Sequence, residues 1–152
     1  MNKILIFTIF TVFTCLAAFG LSKNPNQITE ALRTNSPPKI DGFVTDECWK
    51  KANLITGFKQ YDPDYGNPAT QISQVYILYD DHAIYVGAHL MDPSPDSILT
   101  QLGNRDDGGL NADWFRIQFD TYFNQIDAYV FQVYASGVQT DRTIDDPTYD
   151  AV

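Results

Sequence analysis

Two apolar runs separated by a short polar segment constrain the fold of this chain more than any other feature. Residues 73–79 and 83–90 are rich in Val, Ile, Leu and Tyr, and the acidic segment 80–82 joins them. Runs of this composition on either side of turn-forming residues predict a β-hairpin. Odd and even positions of the runs are both largely apolar, so both faces of the hairpin are expected to be covered. We therefore expect this hairpin to be central to the fold.

A second hairpin is predicted downstream, where residues 114–120 and 128–134 bracket the turn formers 121–127. Its apolar residues alternate more cleanly and predict one core-facing set: Phe115, Ile117, Phe119, Tyr129, Phe131 and Val133. Gly137 permits a further turn toward Val138, and residues 54–61 predict another strand. Short paired strands with almost no helix indicate an all-β fold, an antiparallel β-sandwich.

The first residues are typical of a secretory signal peptide. Lys3 precedes an apolar run over residues 4–13, and small residues follow at Ala17, Ala18 and Gly20. The run is too short for a stable membrane span, and cleavage is expected before residue 21. We therefore predict an exported protein that is periplasmic, outer-membrane-associated or extracellular. A lipid anchor at Cys15 is the alternative, although Val-Phe-Thr before it lacks the small residue that such processing needs.

We divide the chain into a signal peptide over residues 1–20, a polar linker over 21–38 and one domain over 39–152. The domain opens at residues 40–52, where Thr45 or Asp46 is expected to cap a short helix and place Trp49 on its inner face. After cleavage the only cysteine is Cys48, so no internal disulfide is expected. We predict a buried structural thiol there.

Charge and the absence of known signatures exclude several classes of function. The net charge is -9, and nearly all the acid is Asp. Such a chain repels phosphate, so nucleic acid is not expected as a partner. His82 and His89 have no zinc-binding spacing, and Ser136 lies outside a Gly-x-Ser-x-Gly elbow. No catalytic residue is therefore predicted.

The polar face of the second hairpin is the candidate binding site. If the apolar set faces the core, the opposite face carries aromatic rings beside planar hydrogen-bonding groups: Trp114, Arg116, Gln118, Gln132 and Tyr134. Sugars present apolar CH patches flanked by hydroxyl groups, which such a surface matches. The alternative is a solvated or loop-covered face, in which Trp114 packs under residues 99–110.

A second cluster lies in the glycine-rich segment that precedes the second hairpin. Asp106, Asp107 and Asp113 supply carboxylates close together in sequence. Flexible segments rich in oxygen ligands can bind calcium, so these three residues are candidate ligands of a structural calcium ion. The spacing and closing Glu of an EF-hand are absent, and solvated aspartates in a surface loop are the alternative.

Short motifs, in this order and spacing, resemble family 9 carbohydrate-binding modules: Ile40-Asp41-Gly42, Asp46-Glu47, Trp49, Ala52, Tyr79-Asp80-Asp81, Ile84-Tyr85-Val86, Asp92, Arg105-Asp106, Asp113, Phe119-Asp120, Phe131, Gly137 and Asp141. More closely, the chain is similar to the module at the N-terminus of long exported bacterial proteins whose C-terminal region resembles an outer-membrane barrel. The resemblance implies a β-sandwich that binds polysaccharides such as xylan or cellulose, with structural calcium, and that accompanies glycoside hydrolases.

The sequence departs from that family in two ways. Tyr134 stands where the family pattern has Asn, and the family continues beyond the equivalent of Val152 into further strands. The chain thus resembles an N-terminal fragment that lacks the last strands.

The function expected from these observations is non-catalytic binding of an oligosaccharide or polysaccharide in carbohydrate catabolism. Any glycosidase activity would belong to an associated or downstream domain. The alternative is a structural or interaction domain of a cell-envelope protein that has lost sugar binding, with an outer-membrane partner or a downstream domain, or a truncated fragment.

Overall fold

The computed structural model describes residues 28–145. The predicted signal peptide, the first part of the predicted linker and residues 146–152 lie outside this range. The described strands form two sheets, the first with β1 (Leu32–Arg33), β2 (Ser73–Tyr79) and β3 (Ile84–Leu90), the second with β4 (Trp114–Phe119), β5 (Ala128–Tyr134) and β6 (Gln139–Ile144). Two short 3-10 helices cover Trp49–Lys51 and Pro95–Ser97. The prediction of an all-β fold is confirmed for these residues.

Within residues 28–145, no helix has the length and apolar character needed to cross a membrane.

The first predicted hairpin is present as β2 and β3. The two strands are antiparallel, in a register that pairs Ser73 with Leu90 and Tyr79 with Ile84. The Asp80 carboxylate organises the turn, because it accepts hydrogen bonds from the backbone N–H groups of His82 and Ala83 at 2.7 and 2.9 Å. An aspartate that bonds the backbone beyond itself is a common turn device.

The first sheet begins earlier in the chain than the sequence predicted. Leu32 and Arg33 pair in parallel with Leu78 and Tyr79 of β2, and the N–H of Thr34 donates to the Tyr79 carbonyl at 2.8 Å. The assignment of residues 21–38 to a linker is therefore wrong for residues 32–34. Backbone hydrogen bonding to a neighbouring strand, which a polar composition does not reveal, decides this boundary.

Trp49 anchors the segment that enters the domain. Its indole ring is buried on the first sheet, 6.4 Å from the Tyr76 ring between centroids. The ring lies against Gly87 of β3, where a Cβ atom would stand 3.1 Å from Trp49 Cη2 and 2.7 Å from Val44 Cγ1. Only glycine at position 87 leaves room for this contact.

The short helix expected here is confirmed as the 3-10 helix at Trp49, but its capping differs from the prediction. No side chain caps it. The Asp46 carboxylate instead accepts the Lys39 N–H at 3.0 Å, while the Asp46 carbonyl accepts the Trp49 N–H at 3.1 Å. Cys48 is half-buried, with a free thiol.

Residues 54–61 do not form the predicted strand. They make only isolated bridges, one between Ile55 and Val75 and one between Lys59 and Pro68. Gly57, between the two bridges, has a φ of 74°. This left-handed conformation interrupts the extended backbone that a continuous strand needs.

The second hairpin is present as β4 and β5, and Gly137, at φ 83°, turns the chain into β6. On β5 the buried face is the reverse of the predicted one, whereas on β4 the predicted core residues Phe115, Ile117 and Phe119 are half-buried. Along β5 the side chains with only 2–5% exposure are Val130, Gln132 and Tyr134. The expected core residues of β5 are 44–48% exposed: Tyr129, Phe131 and Val133. The prediction that these three lie in the core is wrong.

Side chains of both sheets line two open cavities. One, of about 630 Å³, is lined by Val75 and Leu90 of the first sheet and by Phe115 and Val133 of the second. The other, of about 610 Å³, lies at the opposite end of the strands, where Phe119 is among its lining residues. These cavities interrupt close packing between the two sheets at both ends of the strands. The arrangement of the sheets as a β-sandwich therefore stays a prediction.

Candidate functional site

Three of the five predicted sugar-contacting residues lie in a row on β4. Trp114, Arg116 and Gln118 are two positions apart, so their side chains leave the same face of the strand at intervals of about 6.8 Å. In the second sheet β4 is an edge strand, with β5 as its neighbour. Trp114 is 52% exposed, Gln118 is exposed and Arg116 is half-buried. We call these three residues the β4 row.

The Arg116 guanidinium is held between an aromatic ring and a buried amide. Its Cζ atom lies 4.6 Å from the centroid of the Trp114 ring, within the range of a cation–π contact. Its Nε donates to Oε1 of Gln132 at 2.9 Å. Gln132 pairs with Arg116 across β4 and β5 and is buried, so its amide has a defined position. The guanidinium and the indole are therefore oriented by contacts inside the protein.

Gln132 and Tyr134 do not belong to an exposed face. Both are buried, and the prediction that they share an accessible surface with the β4 row is wrong. We call residues 99–113, which lead into β4, the strap. Its two ends are joined by the Asp113 N–H, which donates to the Leu99 carbonyl at 2.9 Å, and its middle donates the Asp106 N–H to the Gln139 carbonyl of β6 at 3.0 Å. The strap therefore reaches from the start of β4 to β6, the two neighbours of β5.

Charged side chains attach the strap to β6. Arg105 forms an ion pair with Asp141 and donates to Oε1 of Gln139 at 3.2 Å. The Asp106 carboxylate accepts the N–H of Asp141 at 3.2 Å, and Asp106 itself has a φ of 65°. These contacts lie at the surface, where an ion pair typically contributes at most about 1 kcal/mol. Trp114 stays half-exposed.

The β4 row borders the cavity of about 630 Å³ between the sheets. Trp114 and Arg116 line it, together with apolar side chains such as Phe58 and Leu90. Asp92 adds a carboxylate to the lining, although one of its oxygens already accepts the Ser94 N–H at 2.6 Å. A concave apolar surface with a few polar groups at its border is the usual form of a small-molecule site.

Sequence reasoning missed two contributors to this cavity. Phe58 and Asp92 come from segments far from β4 in the chain, and no local pattern links them to Trp114. Their place beside the site follows from the approach of the first sheet to the second, which the sequence does not reveal.

The three aspartates proposed as calcium ligands do not converge. Asp106 binds the Asp141 N–H, the Asp107 carboxylate binds the Gly109 N–H at 3.3 Å, and the Asp113 carboxylate binds the Leu99 N–H at 3.2 Å. Among residues 28–145, no group of three or more His, Cys, Asp or Glu side chains could hold a metal ion. Calcium therefore stays a prediction from the sequence, without a three-carboxylate site among these residues.

No family model matches the chain, and neither a curated protein nor a solved structure matches it. The resemblance to family 9 modules therefore stays an expectation, and we infer a function from the residues of this chain.

Proposed function

We propose that this protein binds carbohydrate without cleaving it, and that the β4 row is the contact surface. The supporting observation is the exposed Trp114 ring with the Arg116 guanidinium 4.6 Å from its centroid. An aromatic ring packs against the CH face of a pyranose, while guanidinium and amide groups at its border hydrogen-bond the hydroxyls. The neighbouring cavity offers further apolar surface beside the ring.

The ligand class that this surface fits is a neutral oligosaccharide or polysaccharide. The row lies on an edge strand and is open along its length, which suits a chain of sugars better than a compact metabolite. The net charge of -9 disfavours acidic glycans. Hydrolysis, where it accompanies binding, is assigned to a separate glycoside hydrolase domain or partner, and the protein is proposed to work outside the cytoplasm.

The second candidate function is a structural or interaction domain of a cell-envelope protein that no longer binds sugar. The burial of Gln132 and Tyr134 favours it, because these are two of the five residues expected to contact a glycan. The partner of this domain would then be an outer-membrane protein or a downstream domain.

Affinity measurements on neutral glycans distinguish the two candidates. Xylan and hydroxyethyl cellulose are titrated into the wild-type protein and into Trp114→Ala. An aromatic anchor of about 2 kcal/mol predicts roughly a 30-fold loss of affinity in the variant. Tyr65→Ala is the matched control, because it removes an exposed ring at another place and should leave affinity unchanged. Equal affinity of the wild type and Trp114→Ala would remove the β4 row as the site, and no binding by the wild type would favour the structural role.

A further inference from the structure

The loop between β4 and β5 exposes aromatic side chains directly beyond the β4 row. Tyr122 is 71% exposed and Phe123 is 91% exposed, and Ile126 beside them is also exposed. Single apolar residues at a protein surface are common, but here two adjacent exposed rings and an exposed aliphatic side chain lie within one short loop. We call residues 120–127 the β4–β5 loop.

The loop has a defined conformation. The Asp120 carboxylate accepts the backbone N–H groups of Asn124 and Gln125 at 3.1 and 2.8 Å. The Asn124 side chain in turn accepts the N–H groups of Ile126 and Asp127 at 2.9 and 3.0 Å. Two side chains thus hold four backbone donors of one loop, and the exposed rings are carried on a structured support.

This conformation has an energetic cost. Phe123 and Gln125 have φ values of 52° and 59°, in the left-handed region that costs a non-glycine residue about 1–2 kcal/mol. The N–H groups of Gln125 and Asn124, together with those of Phe123 and Tyr122, lower the pKa of the Asp120 carboxyl. The ionised carboxylate is therefore the form that holds the strained loop. Strain of this kind is found where a protein presents groups for binding.

We propose that Tyr122 and Phe123 form a second aromatic contact for the glycan bound at the β4 row, so that the ligand is an extended polysaccharide chain. This inference depends on the proposed function. Trp114 and Phe119 are five residue steps apart along β4, a distance of about 17 Å, and the loop begins directly after Phe119. A glycan long enough to reach from Trp114 to the loop gains both contacts, whereas a disaccharide gains only one.

The charge of the loop favours a glycan over a membrane surface. Residues 120–127 contain two aspartates and neither Lys nor Arg, and the whole chain carries a net charge of -9. Anionic headgroups would repel such a loop, since peripheral membrane segments are typically rich in basic residues. Neutral sugar rings carry no charge to be repelled, and their CH faces suit exposed aromatic rings.

The test compares long and short ligands in matched variants. The wild type, Trp114→Ala and the double variant Tyr122→Ala/Phe123→Ala are titrated with xylan and hydroxyethyl cellulose and with xylobiose and cellobiose. The double variant is expected to lose about tenfold in affinity for the polysaccharides and nothing for the disaccharides. Trp114→Ala is expected to weaken binding of both classes. Tyr65→Ala, which removes a ring outside the loop, should match the wild type.

Two further variants separate contact from loop structure. Phe123→Gly relieves the left-handed strain, so it is expected to preserve or raise stability while still weakening polysaccharide binding. Asp120→Ala removes the acceptor of two N–H groups and should weaken polysaccharide binding, whereas Asp120→Asn retains an acceptor and should partly restore it.

Three outcomes overturn the inference. Wild-type affinity for polysaccharide in the double variant would refute the loop contact and leave the β4 row intact. If the wild type also binds phosphatidylcholine vesicles in a sedimentation assay, and the double variant loses that binding while its glycan affinity is unchanged, the loop is assigned to a membrane surface. Absence of glycan binding by the wild type would refute the proposed function and this inference together.

Discussion

Replacement of Gly87 by Ala tests how tightly the entrance segment is fitted to the first sheet. The added methyl group would meet Val44 Cγ1 at 2.7 Å and Trp49 Cη2 at 3.1 Å. Overpacking of this kind costs about 1–3 kcal/mol. Exchange of Gly for Ala within a strand returns about 0.5–1 kcal/mol through lower backbone entropy in the unfolded chain. The net loss of unfolding free energy is therefore expected to be at most about 2.5 kcal/mol, with a central value of about 1 kcal/mol.

Urea unfolding measures this loss. With an m-value of about 2 kcal/mol/M, the midpoint should fall by about 0.5 M, and by no more than about 1.3 M, while m stays constant. In a Trp114→Phe background the fluorescence reports Trp49 alone, and its emission should shift to the red in Gly87→Ala as the ring loses its buried position. Gly108→Ala is the control, because nothing lies within 4 Å of a Cβ atom there, and it should not lower the midpoint.

A double-mutant cycle gives the decisive result. Val44→Ala removes the atom nearest to the added methyl group, so Gly87→Ala should cost less in the Val44→Ala background than in the wild type. The opposite result is that Gly87→Ala unfolds at the wild-type urea midpoint, with unchanged Trp49 emission and no coupling to Val44. That result would show that Val44 and Trp49 leave room for a methyl group at position 87, and it would refute the reasoning from packing.

Two further predictions concern pH and the strap. The His82 N–H and the Tyr85 hydroxyl donate hydrogen bonds to the Asp80 carboxylate and lower its pKa. The hydrogen bond between Tyr85 and Asp80 also raises the pKa of the Tyr85 hydroxyl. The contribution of Asp80 to stability is thus fully present above its unfolded-state pKa, and it is lost as the pH falls through the folded-state pKa. The contribution of Tyr85 is fully present below its unfolded-state pKa, and it is lost as the pH rises through the folded-state pKa. NMR titration should give a carboxyl midpoint below that of ordinary aspartate, and an ordinary midpoint would contradict the hydrogen bonds. Arg105→Met removes exposed ion pairs, so the free energy of unfolding should change by at most about 1 kcal/mol. Amide hydrogen exchange in the strap and at Tyr134 should nevertheless become faster. Unchanged exchange would mean that Arg105 does not hold the strap.

Local patterns predicted the hairpins well. The turn at Asp80 and the turn at Gly137 each depend on a few neighbouring residues. The ends of β2 to β5 were predicted to within one residue, whereas β6 was not predicted as a strand. The segment 54–61 was predicted wrongly because Gly57 adopts a left-handed conformation that composition does not specify. The boundary of the linker was wrong because Leu32 pairs with Leu78, far along the chain.

The candidate site was predicted in part. Alternation along one strand placed Trp114, Arg116 and Gln118 on one face, and the structure confirms that arrangement on β4. The same alternation put Gln132 and Tyr134 beside them in register, but it could not show which face would be covered. That depends on long-range contacts, such as those between the strap and β6, which no local pattern contains.

The sequence by itself determined the four strands of the two hairpins, their turns and the two sets of residues that share each face of the second hairpin. These properties follow from the two-residue period of a strand and from turn chemistry, which act over a few residues. Only the tertiary structure decided which residues of each face are buried, since burial depends on contacts with segments far along the chain. Accessibility of Trp114 and burial of Tyr134, two residues paired across the same hairpin, are the result.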